Sequence, residues 1–233
     1  MTHFADQIQS CISEIMLHEP IAQDTMRLRL SVPDELCQAM PGQFFMVRDH
    51  RSSDPLIGRA LALYDCKPEE NWIEVVYIVK GKFTTSIAML GRGKTLGVWG
   101  PLGNYFDDSP TQHLIMVAGG IGQTPFLALT KEATGRQQFG QRRSGYAGRV
   151  TFCYGARSDR YLADVPAFQR AGADVQIATE DGSIGPPQRV TQLLLQLMNE
   201  EPLPLEARIV CCGPEPMMKA VSQIAIDHHI SCQ

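Results

Sequence analysis

From about residue 110 onward the sequence alternates strand-like and helix-like segments, and that rhythm leaves few folds open. His113–Ala118 is an apolar strand followed by a glycine turn and a helix-like Pro125–Thr134. Arg149–Tyr154 leads to helix-like Ala163–Arg170, and Asp174–Thr179 leads to the leucine-rich Gln188–Asn199. Ala207–Cys212 then precedes Glu215–His228, where apolar residues recur at helical spacing. Parallel strands need a crossover, right-handed in nearly all cases, so this half predicts a parallel-sheet, Rossmann-like α/β domain over 109–233. Gly135–Gly148, rich in Gly, Gln and Arg, reads as a mobile excursion, with Arg142 and Arg143 in a solvated loop. Ile230–Gln233 reads as the first residues of a strand whose remainder is missing, which argues for a truncated product.

Residues 1–108 have a different texture. Short apolar or alternating runs, Cys11–Leu17, Met26–Leu30, Phe44–Val47, Arg59–Tyr64 and Trp72–Val79, are separated by Pro- and Gly-containing breakers. Strands at this spacing suggest a small antiparallel barrel or sandwich.

Composition narrows the function classes. A net charge of −4 over 233 residues gives no reason to expect nucleic acid or an anionic membrane as partner. No segment approaches the ~18 apolar residues of a membrane span, and no signal pattern opens the chain, so a cytoplasmic location is expected. The seven cysteines form no C-x-x-C pair, which suits reduced thiols. Adjacent Cys211 and Cys212 point to opposite faces of a strand, and the histidines lack metal-ligand spacing, so no metal site is expected.

The strongest local signal is Val117–Pro125, a buried strand running into Gly119, Gly120 and Gly122, with Thr124 as helix cap and Pro125 in the first turn. Glycines there let a ligand approach the backbone, and a helix N-terminus suits a pyrophosphate; a tight turn without a ligand is the alternative. Cys212-Gly213-Pro214 stands at the same kind of strand-to-helix junction, where a buried Cys is more often inert core. Glu180-Asp181 follows another strand, where acidic residues can bind a ribose 2′-hydroxyl or simply close an Asx-type turn. In the first half, Arg59 opens the apolar run Ala60-Leu61-Ala62, where it can grip an anion or make a surface ion pair. Gly81-Lys82-Phe83-Thr84-Thr85 opens a short helix-like run, and Gly100–Phe106 closes the domain.

In this order the motifs resemble the ferredoxin–NADP reductase superfamily along essentially the whole chain. Its flavin domain carries an R-x-[Y/L]-S strand, a G-x-x-T/S turn and a G-P-x-G segment, at the places of Arg59, Gly81–Thr85 and Gly100–Phe106. Its nucleotide domain carries G-G-[T/I]-G-x-[T/A]-P and C-G-P, matched by Gly119–Pro125 and Cys212–Pro214. Within it, the chain is most similar to electron-transfer subunits of class B, NAD-dependent dihydroorotate dehydrogenases. That likeness rests on Gly81-Lys82-x-Thr84, Gly100–Asn104, Gly119–Gly122, Gly155-Ala156-Arg157, Asp181-Gly182-Ser183-x-Gly185 and Cys212–Met218.

The resemblance implies a Greek-key barrel holding FAD, followed by an NAD(H)-binding domain, with the flavin between them. It implies that Arg59 grips the FAD pyrophosphate, that Gly81–Thr84 adds donors, and that Cys212 lies near the nicotinamide. It also implies electron transfer to a dihydroorotate dehydrogenase catalytic subunit in pyrimidine biosynthesis. Glu180-Asp181, where NADP-using relatives tend to have Ser-Arg, favours NAD, against the nearby Arg157 and Arg160. Ala60 and Ala62 depart from the family's Pro and Ser, which removes one hydroxyl near the flavin. The subfamily continues into a [2Fe–2S] module whose four Cys ligands this sequence, ending at Gln233, does not supply. Rival readings are a free-standing NAD(P)H–flavin or ferredoxin reductase, a hydrogenase-associated subunit, and a scaffold that has lost flavin.

Overall fold

A computed structural model describes residues 8–200, 203–204 and 206–233. The chain divides into two compact units, the first ending at Tyr105 and the second beginning at Phe106.

The first unit is a closed six-stranded barrel. Its strands are β1 (Gln9–Ala22), β2 (Thr25–Ser31), β3 (Phe44–Arg48), β4 (Arg59–Lys67), β5 (Trp72–Ile78) and β6 (Thr95–Leu102). They close in the order β1-β2-β5-β4-β3-β6, and every pair is antiparallel. Alternation sets the faces: Leu28 and Leu30 are buried inside, as are Phe45 and Val47. Alternating with the buried leucines, Arg27 and Arg29 turn the other way, and both meet Glu74 of β5, at 3.3 and 2.9 Å. The strand β6 does not stand out in the sequence because Gly97, Gly100 and Pro101 interrupt its apolar residues. A Cβ on Gly100 would lie 2.7 Å from the Phe45 ring, so the breaker is a packing requirement. Two short helices lie in the connections, α1 (Asp34–Cys37) and α2 (Lys82–Ala88).

The second unit is a five-stranded parallel sheet. Its strands are β7 (Thr111–Gly119), β8 (Ala147–Ala156), β9 (Asp174–Thr179), β10 (Ala207–Cys212) and β11 (Ser231–Cys232), in the order β11-β10-β7-β8-β9. Its helices are α3 (Phe126–Ala133), α4 (Val165–Arg170), α5 (Val190–Glu200) and α6 (Glu215–Asp227). Ile115 and Val117 of β7 pack with Leu194, Met198, Val221 and Ala225 of α5 and α6. Met116 turns the other way, where its sulfur accepts the Thr130 hydroxyl of α3. Phe126 meets Phe152 edge-on nearby and Phe168 packs tilted against Phe152, at centroid distances of 5.9 and 4.6 Å. Covering both faces is why the central strand is nearly uninterrupted in apolar residues. Ile230–Gln233 does enter a strand: Cys232 is in register with Ile209, and Gln233 exchanges backbone hydrogen bonds with Ile209 and Cys211.

Two expectations are corrected. Gly135–Gly148 is solvated only in part: Arg143 is exposed as expected, but Phe139 and Tyr146 are buried, and so is Arg142. Arg142 donates from Nε and a terminal nitrogen to the two carboxylate oxygens of buried Glu132, at 2.7 and 3.0 Å, and to the Phe106 carbonyl at 2.7 Å. A carboxylate buried on the inner side of a helix needs a buried counter-ion, and the loop supplies it. Residues 107–109 are anchored similarly: Asp107 pairs with Arg208, Arg208 donates to the Ser109 carbonyl, and Asp108 accepts the Arg143 N–H. The second correction concerns Thr124, which has helical backbone angles and no capping role; α3 begins after it, at Phe126, without a side-chain cap. Among the described residues no helix is long and apolar enough to cross a membrane.

Candidate functional site

In the parallel sheet the chain moves from β7 outward through β8 and β9, then returns to place β10 on the other side of β7. The strand order therefore reverses between β7 and β10, and ligands of open α/β sheets bind at the carboxyl ends of strands beside such a reversal. Two turns leave the sheet there. Gly119 ends β7 and Gly120–Gln123 forms a 3₁₀ turn, while Gly213-Pro214 joins β10 to α6.

The turns interlock through absent side chains. A Cβ on Gly122 would lie 2.2 Å from the Cys212 carbonyl oxygen. One on Gly119 would lie 2.8 Å from the Met217 sulfur and 2.9 Å from Pro214, and one on Gly213 would meet the Gly119 nitrogen at 3.0 Å. Gly120 is different: its φ is +54° and nothing lies within 4 Å of a Cβ there, so conformation selects the glycine and the space above it is open. An open backbone surface leading into α3 is the kind of surface a diphosphate can approach.

Cys212 is half-buried, and burial raises its thiol above the usual cysteine range, so it is a neutral thiol at physiological pH. Beyond β8 and β9, the Glu180 and Asp181 N–H groups bond to the carbonyls of Ala156 and Arg157. Asp181 also accepts the Ser183 N–H at 2.9 Å, closing an Asx-type turn, and its hydrogen bonds to Ser183 lower its pKa. Glu180 is exposed beside it.

In the barrel, Arg59 and Ala60 are exposed at the start of β4, and Leu61 points into the core. The Arg59 guanidinium donates only to the Ile57 and Gly58 carbonyls of its own loop and pairs with no carboxylate among the described residues. Gly81, with φ +87° and open space around it, precedes α2. The buried Thr84 hydroxyl accepts the Lys80 N–H at 2.7 Å, and Thr85 donates its N–H to the Gly81 carbonyl at 3.1 Å. Lys82 pairs with Asp54. Thr84 and Lys82 therefore already have partners, whereas Arg59, Gly81 and the exposed Thr85 leave surface open.

Known proteins with these features are numerous. The model of the oxidoreductase NAD-binding domain family matches residues 116–223. The electron-transfer subunit of dihydroorotate dehydrogenase B (NAD+) from Bacillus caldolyticus is 32% identical over 87% of this chain and 74% of its own. The corresponding subunit from Desulforamulus reducens is 30% identical over 87% and 72%. The chain belongs to this family of electron-transfer subunits. Among solved structures, an NADH-dependent reduced ferredoxin–NADP oxidoreductase superposes with a TM-score of 0.78 and 25% identity, over 95% of this chain and 75% of the other. Ferredoxin–NADP+ reductase from Plasmodium falciparum shares the fold, with a TM-score of 0.73, 12% identity, and 96% and 95% coverage.

For an oxidoreductase of this family the donor set fits both nucleotides. Arg59, which pairs with no carboxylate among the described residues, offers a cation and Gly81 an open backbone, either of which would suit a diphosphate, as would the open Gly119–Gly122 turn. Ala62, half-buried in β4, offers no hydroxyl, so a flavin would rely on backbone groups there. Among the described residues no group of three or more His, Cys, Asp and Glu is placed to hold a metal ion. One polar residue of the glycine turn escapes a sequence reading: Gln123 is fully buried, and its side-chain amide has no hydrogen-bond partner among the described residues. Its only sequence signal is a carboxamide in a run otherwise small or apolar.

Proposed function

We propose that this chain passes electrons between NAD(H) and the catalytic chain of a dihydroorotate dehydrogenase, by way of FAD held on its barrel. The observation that carries the reading is the interlocked pair of turns, Gly119–Gly122 against Cys212–Pro214, at the reversal of the strand order. The likeness to electron-transfer subunits of dihydroorotate dehydrogenase B supports the choice of partner.

The roles follow from what each residue offers. The backbone of Gly119, Gly120 and Gly122, with the start of α3, takes the dinucleotide diphosphate; Gly213 and Pro214 hold that turn in shape. Thr124, whose N–H bonds to the Ile121 carbonyl, closes that turn. The neutral Cys212 thiol can donate a hydrogen bond beside the nicotinamide without adding charge where hydride leaves. Glu180 accepts the adenosine ribose hydroxyl and, with Asp181, repels a 2′-phosphate, favouring NAD(H) over NADP(H). Arg59 holds the FAD diphosphate with a charge no carboxylate quenches, and the backbone of Ala60–Ala62 and Gly81–Thr85 lines the same cofactor. FAD, when bound, accepts a hydride as two electrons and can release them singly.

The test is spectroscopic. Purified chain reconstituted with FAD should be yellow and should bleach under anaerobic NADH, faster than under NADPH. A chain that takes up no FAD would instead support a scaffold that has lost flavin. Co-expression with a dihydroorotate dehydrogenase catalytic chain should yield a complex; bleaching without complex formation would favour a free-standing reductase.

A further inference from the structure

The glycine turn holds a polar group that the roles above do not use. Gln123 closes the 3₁₀ turn between Gly122 and Thr124 and is fully buried. Neither its Oε1 nor its Nε2 has a hydrogen-bond partner among the described residues. A carboxamide has two donors and an accepting oxygen, and burying them unpaired is unfavourable; a side chain of the same length without the amide would be tolerated better. In the free chain, then, the amide is a liability at one particular place. The turn touches the ends of β7, β8 and β10, the strands that flank the reversal. Above it Gly120 faces open space, and below it Gly122 rests on the Cys212 carbonyl. The turn is thus free on the ligand side and braced on the sheet side, with the unpaired amide in its last residue.

We propose that Gln123 is a positioning residue for the dinucleotide, its carboxamide completing its hydrogen bonds only when a diphosphate occupies the Gly119–Gly122 turn. The inference rests on that turn being the dinucleotide site. A group unsatisfied in the free state and satisfied in the bound state adds to affinity whatever it costs the free state, because a ligand shifts an equilibrium by its differential interaction with the two states. The amide would act through the turn, holding the peptide groups of Gly120–Gly122 in the orientation the diphosphate needs.

The experiment uses the full chain and NAD+ as probe. Gln123→Met keeps an unbranched side chain and removes the amide. The expected result is free-chain thermal stability equal to or above wild type, with NAD+ affinity by calorimetry about tenfold weaker, the change that 1.4 kcal/mol represents. In ¹⁵N-labelled wild type, the Gln123 side-chain NH₂ signals should shift and exchange more slowly with solvent on NAD+ saturation, a signature that a purely structural role would not give. Equal NAD+ affinity in wild type and variant overturns the proposal. So do side-chain NH₂ signals that ignore NAD+, an arm that stands even if the variant does not fold. A wild-type chain that binds no NAD+ overturns the reading of the turn itself and this inference with it, so the two failures are distinguishable.

Discussion

Gly122 and Gly120 sit two residues apart in one turn and are glycine for different reasons. A methyl group at Gly122 would press on a backbone carbonyl at 2.2 Å, and a carbonyl in a strand end cannot swing aside as a side chain can. Gly122→Ala should therefore cost upward of about 3 kcal/mol or force the two turns apart. At Gly120 the space is open and only the left-handed backbone resists, so Gly120→Ala should cost about 1 kcal/mol. Urea titration of the two variants checks the ranking, and NAD+ calorimetry should show the larger loss at Gly122. Cys212 carries a prediction of another kind. Because burial raises its thiol above the usual cysteine range, the rate of flavin reduction by NADH should show no thiolate-dependent step at physiological pH. A step there that vanishes in Cys212→Ala would show an ionised sulfur instead.

The loop after α3 shows what an element can conceal in its composition. Glu132 lies on the buried side of α3, and burial raises its pKa while Arg142 and Tyr146 pull the other way. Arg142→Ala should leave that carboxylate buried without its counter-ion, at a cost of about 3–5 kcal/mol near neutral pH. The sign with pH follows from the raised pKa. The folded state then holds its proton longer than the unfolded chain, so the variant's deficit against wild type should grow as pH rises above the unfolded Glu value of about 4.3. Stability curves of the two proteins from pH 4 to 8 check this; a deficit constant with pH would show that packing alone was lost. No periodicity in Gly135–Gly148 announces Arg142, because its partner is set by tertiary packing rather than by neighbours in sequence. Elements with a strong local period behave otherwise. Asp174–Thr179 and Ala207–Cys212 have the limits their apolar runs suggest, and α2 starts at Lys82, directly behind the Gly81 break. The strand β6 was hidden by breakers, one of which, Gly100, the Phe45 ring requires. In the site, the glycines and Cys212-Gly213-Pro214 were legible because backbone conformation and close packing restrict residue type. Gln123 was not, since an unpaired amide is a property of its surroundings.

At the scale of the whole molecule, the two units carry separable halves of one chemistry. The barrel offers the unpaired Arg59 and the sheet offers the glycine turn, and each lies within its own compact unit. A variant in one unit should therefore remove one ligand and spare the other, although either loss stops the overall reaction. Arg59→Ala deletes an exposed charge whose hydrogen bonds among the described residues go only to the Ile57 and Gly58 carbonyls of its own loop, so the fold should be unaffected within about 0.5 kcal/mol. Its FAD affinity should fall by about tenfold to a hundredfold, the loss of one charge-assisted contact worth roughly 1.5–3 kcal/mol. Its NAD+ affinity should stay at the wild-type value. Gly120→Ala, the milder of the two turn variants, should do the reverse, keeping the yellow colour while weakening NAD+. Both should lower the rate of anaerobic bleaching by NADH at limiting ligand, and excess FAD should restore only Arg59→Ala. Loss of FAD in the Gly120 variant, or of NAD+ in the Arg59 variant, would show that the two sites are not separable and that each unit's fold depends on the other's ligand.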